Sequence, residues 1–315
     1  MSDGSTPAAT AVASPAAGAS LDPRVMIPLA LLTLYVVWGS TYLGILFALE
    51  SYPPFLLAGM RFLGAGVAMY AFLRWRGHAT PTRLQWRNAA ITGVLLLGFG
   101  NGLVCFAEER VSSGIAAVAV SSMPLFAAAF SGMYGQWPTR REIVGLLVGF
   151  AGVVVLNLGS SLSGERIGAI ALLTAAAAWA FGSVWSKRQE MPAGPMNTAA
   201  QMLCASVALL LVGFGTGEAL PASPTLKSTL ALVYLALFGS ILAFSAYLYV
   251  LKHARPAVAT SYAYVNPPVA VLFGVLLAGE VVGPWDMLGM VVILAGVAVI
   301  TLGGQAKRGS RVRTA

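Results

Sequence analysis

A chain of 315 residues that is 58% hydrophobic and 10% charged carries too little charge for a soluble domain, in which about a quarter of residues are charged. Its net charge of +8 is scattered over short segments, which excludes the continuous basic surface of a nucleic-acid binder. What remains is an integral membrane protein of helices, the open-ended fold that satisfies its own backbone in hydrocarbon.

In chain order, the first element is a tail, residues 1–25, of Ala, Ser, Pro and Gly with few large apolar side chains, so it is expected to be disordered. It has neither the basic start nor the strongly apolar stretch of a secretory signal. Nearly uncharged runs of membrane-crossing length follow at 26–48, 55–74, 87–107, 112–133, 142–159, 167–186, 197–216, 228–251, 257–279 and 285–303. A basic tail, 304–315, closes the chain. The links hold a dozen residues or fewer, too few for a second domain.

The basic residues set the orientation. With the N-terminus inside, fifteen of the nineteen fall in cytoplasmic segments, three (Arg110, Arg166 and Lys227) fall outside, and Arg61 lies within a span. The positive-inside bias therefore predicts both ends in the cytoplasm and an even number of spans. The basic segments would face anionic lipid headgroups.

The sequence also repeats. At a shift of 144 residues Pro124 falls on Pro268, Gly135 on Gly279, Gly145 on Gly289, and 149–159 on 293–303 with six identities in eleven positions. A second echo, at 141, joins the stretch ending at Trp38 to the stretch ending at Trp179. The unit is five helices, residues 26–159 and 160–303. Because five is odd, the second copy enters from the opposite side. The predicted class is thus all-α, ten transmembrane helices as two inverted five-helix repeats, the plan of many secondary transporters with substrate at the midplane.

Proline within a span frees a carbonyl four residues back, and interruptions at matching places in two halves point to a transport site. Pro124 and Pro268 are such a pair, with Ser122, Tyr262 and Asn266 beside them as groups able to cap the freed backbone or meet a ligand. Trp38 and Trp179 occupy equivalent places on the leading helices, and Trp38 lies too deep for the lipid interface, so the two are candidate walls of a cavity that stacks flat substrates. Asn101 is a further polar group deep in the third span, able to bridge helices or bind a ligand. Arg61 is expected to snorkel outward or to pair with Glu108, Glu109 or Glu280, binding of a substrate carboxylate being the other reading. Those acids and Glu50 fall at outer ends of spans, so the sequence lends little support to tight proton coupling.

Gly145, Gly152 and Gly159 in the fifth span and Gly289, Gly296 and Gly303 in the tenth recur every seven residues. Such stripes let backbones approach, either within the bundle or across a homodimer through helices five or ten. Both histidines, His78 and His253, fall in loops, no Gly-rich ATPase loop is present, and Cys105 and Cys204 lie within spans, so no enzyme, cofactor or metal site is expected.

Trp38-Gly39-Ser40-Thr41 in the first helix, Met60-Arg61-Phe62 in the second, and Gly279-Glu280 with Ala295-Gly296-Val297 near the end resemble the drug/metabolite transporter superfamily, EamA type, over about residues 26–303. The resemblance implies efflux, and is closest to bacterial exporters of amino acids, including aromatic ones, and of cationic toxicants such as methyl viologen. Gln136 stands where the second repeat has Glu280, so any role of that acid belongs to the second repeat. The expected protein is an inner-membrane secondary transporter exporting amino acids, aromatic or bulky apolar ones favoured, with a small-molecule substrate and membrane lipid as its partners. The alternatives are a flippase for lipid or lipid-linked sugar and a pore or receptor without a transport cycle. A reporter fused after Arg313 should signal cytoplasm, and one inserted between Gly159 and Gly168 the external side; the reverse pattern would overturn the basic-residue count.

Overall fold

Several helix starts are set by local devices that occupy the backbone N–H groups left free at a helix N-terminus. Asp22 accepts from the Arg24 amide at 2.9 Å just ahead of Pro23. Thr82 and Gln85 form a reciprocal capping box, and Thr139 and Glu142 do the same at 2.7 and 3.3 Å. Thr225 caps with its hydroxyl the amide of Ser228 at 3.1 Å. One start is capped from a distance: Glu218, in a later loop, accepts from the Phe55 and Leu56 amides at 3.1 and 2.7 Å. Its negative charge there also complements the helix dipole.

The computed structural model describes residues 22–110, 119–156, 166–278 and 283–311. These form α1 Pro23–Leu49, α2 Pro54–Trp75, α3 Arg83–Glu108, α4 Ala119–Met133, α5 Arg140–Leu156, α6 Arg166–Ser186, α7 Pro195–Gly215, α8 Leu226–His253, α9 Tyr262–Ala278 and α10 Pro284–Arg311. A single turn, Pro256–Ala259, leads into α9. Six of the helices, α1, α2, α3, α6, α7 and α8, are long and apolar enough to cross a membrane by length and composition alone. The expected N-terminal tail, Gly159, and Gly279-Glu280 lie outside the described residues. The segment expected as a basic tail instead continues α10 as helix to Arg311.

Packing follows the repeat. α2 lies along α7 and α5 along α10; α1 meets α8 as α6 meets α3, and α1 meets α9 as α6 meets α4. Each of these contacts between the halves has its counterpart, as a two-fold relation requires. Glycines mark the close approaches. A Cβ at Gly296 would stand 2.5 Å from the Gly149 amide nitrogen, and one at Gly152 2.6 Å from that of Ile293. The stripes of α5 and α10 thus face each other within the chain, and a second copy could use Gly152 or Gly296 only by parting the two helices. Between α3 and α7 a Cβ at Gly93 would fall 2.4 Å from the Gln201 carbonyl.

The outer faces are apolar, with Leu32, Val67, Phe72, Leu147, Ile170 and Leu211 exposed. Such a belt is untenable in water and natural against lipid. The exposed Trp75 stands at the end of α2 and the exposed Trp137 in the link between α4 and α5, the place of interfacial aromatics.

Gly296→Ala should destabilise the protein by about 1–3 kcal/mol through overpacking against α5. Gly64→Ala, where nothing lies within 4 Å of the new methyl, should be neutral or slightly stabilising. Thermal unfolding of the two variants in detergent checks the contrast, and equal midpoints would remove the packing role.

Candidate functional site

α3 and α8, the third helices of the two repeats, share one irregularity: both widen into π-helix, at Val94–Gly102 and Leu235–Leu242. α1 widens likewise at Leu34–Trp38. Such segments cluster at functional sites, because the extra residue per turn spreads the backbone and re-aims side chains. The π segments of α3 and α8 each present a glycine to a tryptophan of the other repeat. The ring of Trp179 lies so near Gly100 that a Cβ there would stand 2.4 Å from its Cε3. Trp38 Nε1 donates to the Gly239 carbonyl at 2.9 Å.

The two indoles meet edge to face, centroids 5.5 Å apart and planes at 88°. Tyr247 approaches both, at 5.4 and 5.6 Å, and Tyr262 closes on Trp38 at 4.6 Å. Each such pair contributes about 0.5–1.5 kcal/mol beyond area burial, so the cluster is a rigid wall. Its polar tips are held. The Tyr247 hydroxyl donates to Ser183 at 2.5 Å, since the Ser183 proton is committed to the Trp179 carbonyl at 2.6 Å. The Tyr262 hydroxyl donates to Met123 Sδ at 3.4 Å.

Above this wall opens a cavity of about 680 Å³ bounded by α1, α2, α3, α4, α6, α8 and α9. Trp38, Asn101, Trp179, Tyr262 and Asn266, all candidates from the sequence, line it together. Ser122, Pro124 and Pro268 do not. The Ser122 hydroxyl folds back to the Ala119 carbonyl at the point where α4 breaks, and the wall there is Met123. The interruption of the second repeat falls at Thr260-Ser261, ahead of its prolines, with the Ser261 hydroxyl on the Val258 carbonyl at 2.8 Å. Tyr264 points away, donating to the Leu146 carbonyl of α5 at 3.1 Å.

Two polar atoms of the site are left over. Asn266 Oδ1 is buried with no hydrogen-bond partner, and the buried Trp179 Nε1 lies near the Tyr247 hydroxyl without a well-aligned hydrogen bond, although such atoms are almost always satisfied in a finished fold. One is a donor and the other an acceptor. Asn101 Oδ1 takes only a long contact from Cys105 Sγ, at 3.8 Å.

The expectation that Arg61 snorkels to water or pairs with Glu108 or Glu109 is overturned; Glu280 lies outside the described residues. Arg61 is 3% exposed, lines the cavity, and donates through Nε to Ser240 Oγ on α8 at 2.7 Å. The reason is Gly239, where a Cβ would stand 2.8 Å from Arg61 Nη2: the missing side chain admits the guanidinium inward. Glu108 differs too. Its place at the end of α3 suggests water, yet both carboxylate oxygens are enclosed and unpartnered. Tyr247, Phe244 and the two glycines carry no signal in the sequence beyond being aromatic or small within spans. Among the described residues no group of His, Cys, Asp and Glu side chains is arranged to hold a metal ion.

A smaller cavity of about 220 Å³ lies among Ser131, Gln136, Glu142 and Arg255, where Arg255 Nε pairs with Glu142 at 2.8 Å. That pair ties the start of α5 to the link between α8 and α9. The Arg255 and Arg188 guanidinium groups also reach the carbonyls of Trp137 and Tyr134, each at 3.5 Å.

The profile of the EamA-like transporter family matches the chain twice, over residues 25–158 and 166–302. The chain is 48% identical over 283 residues to a protein of Escherichia coli K12 described as the uncharacterized inner membrane transporter YedA, covering 89% of this chain and 92% of that one. It is 26% identical to a probable amino-acid metabolite efflux pump of Salmonella typhimurium, over 89% of this chain and 96% of the relative. A solved crystal structure matches the fold with a TM-score of 0.72 at 21% identity, over 89% of this chain and 98% of the other. The chain belongs to the EamA-like transporter family, whose members are membrane transporters and not enzymes.

Proposed function

We propose that this protein is an inner-membrane exporter of amino acids and related small metabolites, working by alternating access, with aromatic or bulky apolar amino acids favoured. The observation that carries the reading is the pairing, in one cavity, of a wall of aromatic rings with a donor on Trp179 that lacks a well-aligned partner and a free acceptor on Asn266. A flat or bulky side chain gains most from stacking against such a wall. The leftover donor and acceptor then orient its polar end, and in doing so recover hydrogen bonds that the empty fold leaves unmade. Arg61, inside the cavity with its Nη groups unspent, suits a substrate carboxylate.

Support also comes from the names of the relatives, one an inner membrane transporter and another a probable amino-acid metabolite efflux pump. The basic-residue bias supports both termini in the cytoplasm. On that orientation the cavity occupies the outer half of the bundle. The aromatic wall and the Arg255–Glu142 pair lie on the cytoplasmic side of it.

Uptake by protein-containing vesicles, tested with a panel of amino acids and organic cations, decides the substrate class. Phenylalanine, tryptophan and leucine should move faster than glycine, aspartate or lysine, and a flat profile would remove the aromatic preference. Trp179→Ala should lower transport of the aromatic substrates about fivefold while leaving membrane insertion intact, from the loss of a contact of about 1 kcal/mol. Trp179→Phe, which keeps an aromatic ring but loses the N–H and part of the indole's area, should recover part of the rate. Wild-type rates from Trp179→Ala at equal protein density would sink the stacking role.

A further inference from the structure

Arg61 and Glu108 bring opposite charges into the bundle, yet neither neutralises the other. The Arg61 guanidinium makes one hydrogen bond, through Nε to Ser240; among the described residues its Nη groups have no hydrogen-bond partner. Glu108 stands on α3 one turn beyond Val104 and two beyond Asn101, so it continues the face that lines the cavity. Neither of its carboxylate oxygens touches solvent or accepts a hydrogen bond. The two groups lie within electrostatic reach of each other, but no ion pair within 4.0 Å joins them.

Among the described residues, the other groups near Glu108 offer it no positive charge. α1 presents the Tyr42 hydroxyl and its own helix presents the Cys105 thiol. Glu109, the next acid on that helix, is taken by Arg110 at 2.9 Å. Ala107, the neighbour of Glu108, packs in an apolar cluster with Ala171 and Leu172 of α6 and Ala119 and Val120 of α4. Tyr234 of α8, on the far side of Arg61, is spent on Ser40 at 2.5 Å.

An ionised carboxylate in that position has lost its water and gained no partner, so a positive charge must accompany it. A transport cycle supplies two: a proton, or a cationic group of the cargo. We propose that Glu108 is a proton-binding site, and that a zwitterionic substrate displaces the proton by setting its ammonium on Glu108 and its carboxylate on Arg61. This rests on the amino-acid reading of the same cavity. The Glu108 O–H bond breaks as the ammonium docks, and the proton leaves to the compartment the cavity then faces. The carboxylate and the ammonium remain as an ion pair, and nothing is oxidised or reduced. On the opposite side the substrate departs and a proton from that compartment takes its place. One turn of the cycle exchanges one substrate for one proton. The separation of Arg61 from Glu108 is what makes the exchange workable, because a direct pair between them would compete with the substrate for both.

The test has two readouts on the full chain. Infrared difference spectra of protein in lipid nanodiscs, wild type minus Glu108→Gln, should show a protonated-carboxyl band at neutral pH that phenylalanine diminishes. In vesicles with a trapped pH dye, phenylalanine flowing down its gradient should drive protons the other way. Glu108→Gln, which removes the partner of the substrate ammonium, should weaken phenylalanine transport and abolish the proton movement that accompanies what remains. Wild-type protein that carries phenylalanine without moving protons, or that lacks the band, overturns the proposal whatever the fate of the variant. Wild-type protein that carries no amino acid of the panel overturns the amino-acid reading instead, a result distinct from carriage without protons.

Discussion

In hydrocarbon, apolar side chains gain nothing by leaving lipid for one another, so this fold depends on how closely its helix backbones can approach. Every main seam between the halves carries glycines where a single added methyl would overlap a neighbour. Gly152 and Gly296 do this between α5 and α10, Gly59 and Gly66 between α2 and α7, and Gly93 between α3 and α7. The close approaches hold the periphery of the bundle together. They also define the centre by contrast, since the cavity lies where rings, not glycine stripes, separate the helices.

The centre uses glycine differently. Gly100 and Gly239, each in a π-helical stretch, clear space for a large group from the other half: the Trp179 ring in one case, the Arg61 guanidinium in the other. The two-fold relation brings the tryptophans together, and the same relation is then broken where chemistry needs it to be. Trp38 spends its N–H on the Gly239 carbonyl, while the Trp179 N–H has no well-aligned acceptor. Arg61 has no cationic counterpart within a span of the second repeat. A symmetric frame with asymmetric polar groups lets the halves rock about each other while recognition stays with a few side chains.

Buried polar groups left without well-aligned partners are costly, and here they converge: Asn266, Trp179 and Glu108 all border or adjoin the same space. The Ser131 hydroxyl, also unpartnered, lines the smaller cavity instead. Gln201 Oε1 on α7, which lines neither cavity, is unpartnered as well, while many other described side chains are well spent. Ser183 serves both Trp179 and Tyr247, Ser240 serves Arg61 and the Leu235 carbonyl, and Thr139 and Glu142 cap one another. The incomplete satisfaction is therefore confined largely to the places where a ligand would complete it.

Sequence alone determined the helical membrane class, most span positions and the pairing of Trp38 with Trp179, because span length, charge scarcity and repeat spacing are properties of the linear chain. It also brought Asn101, Tyr262 and Asn266 into the candidate site, since a polar side chain within an apolar span needs a reason wherever it points. Only the tertiary structure decided which way side chains face. The helix breaks proved to fall ahead of the prolines, which do not line the cavity, the glycine stripes of α5 and α10 met each other, and Arg61 turned inward while the Glu108 carboxylate was enclosed. The physical reason is the same in each case. Depth along a helix can be counted from its ends, but the direction around the helix axis, and the neighbour met there, are set by packing against helices distant in the chain.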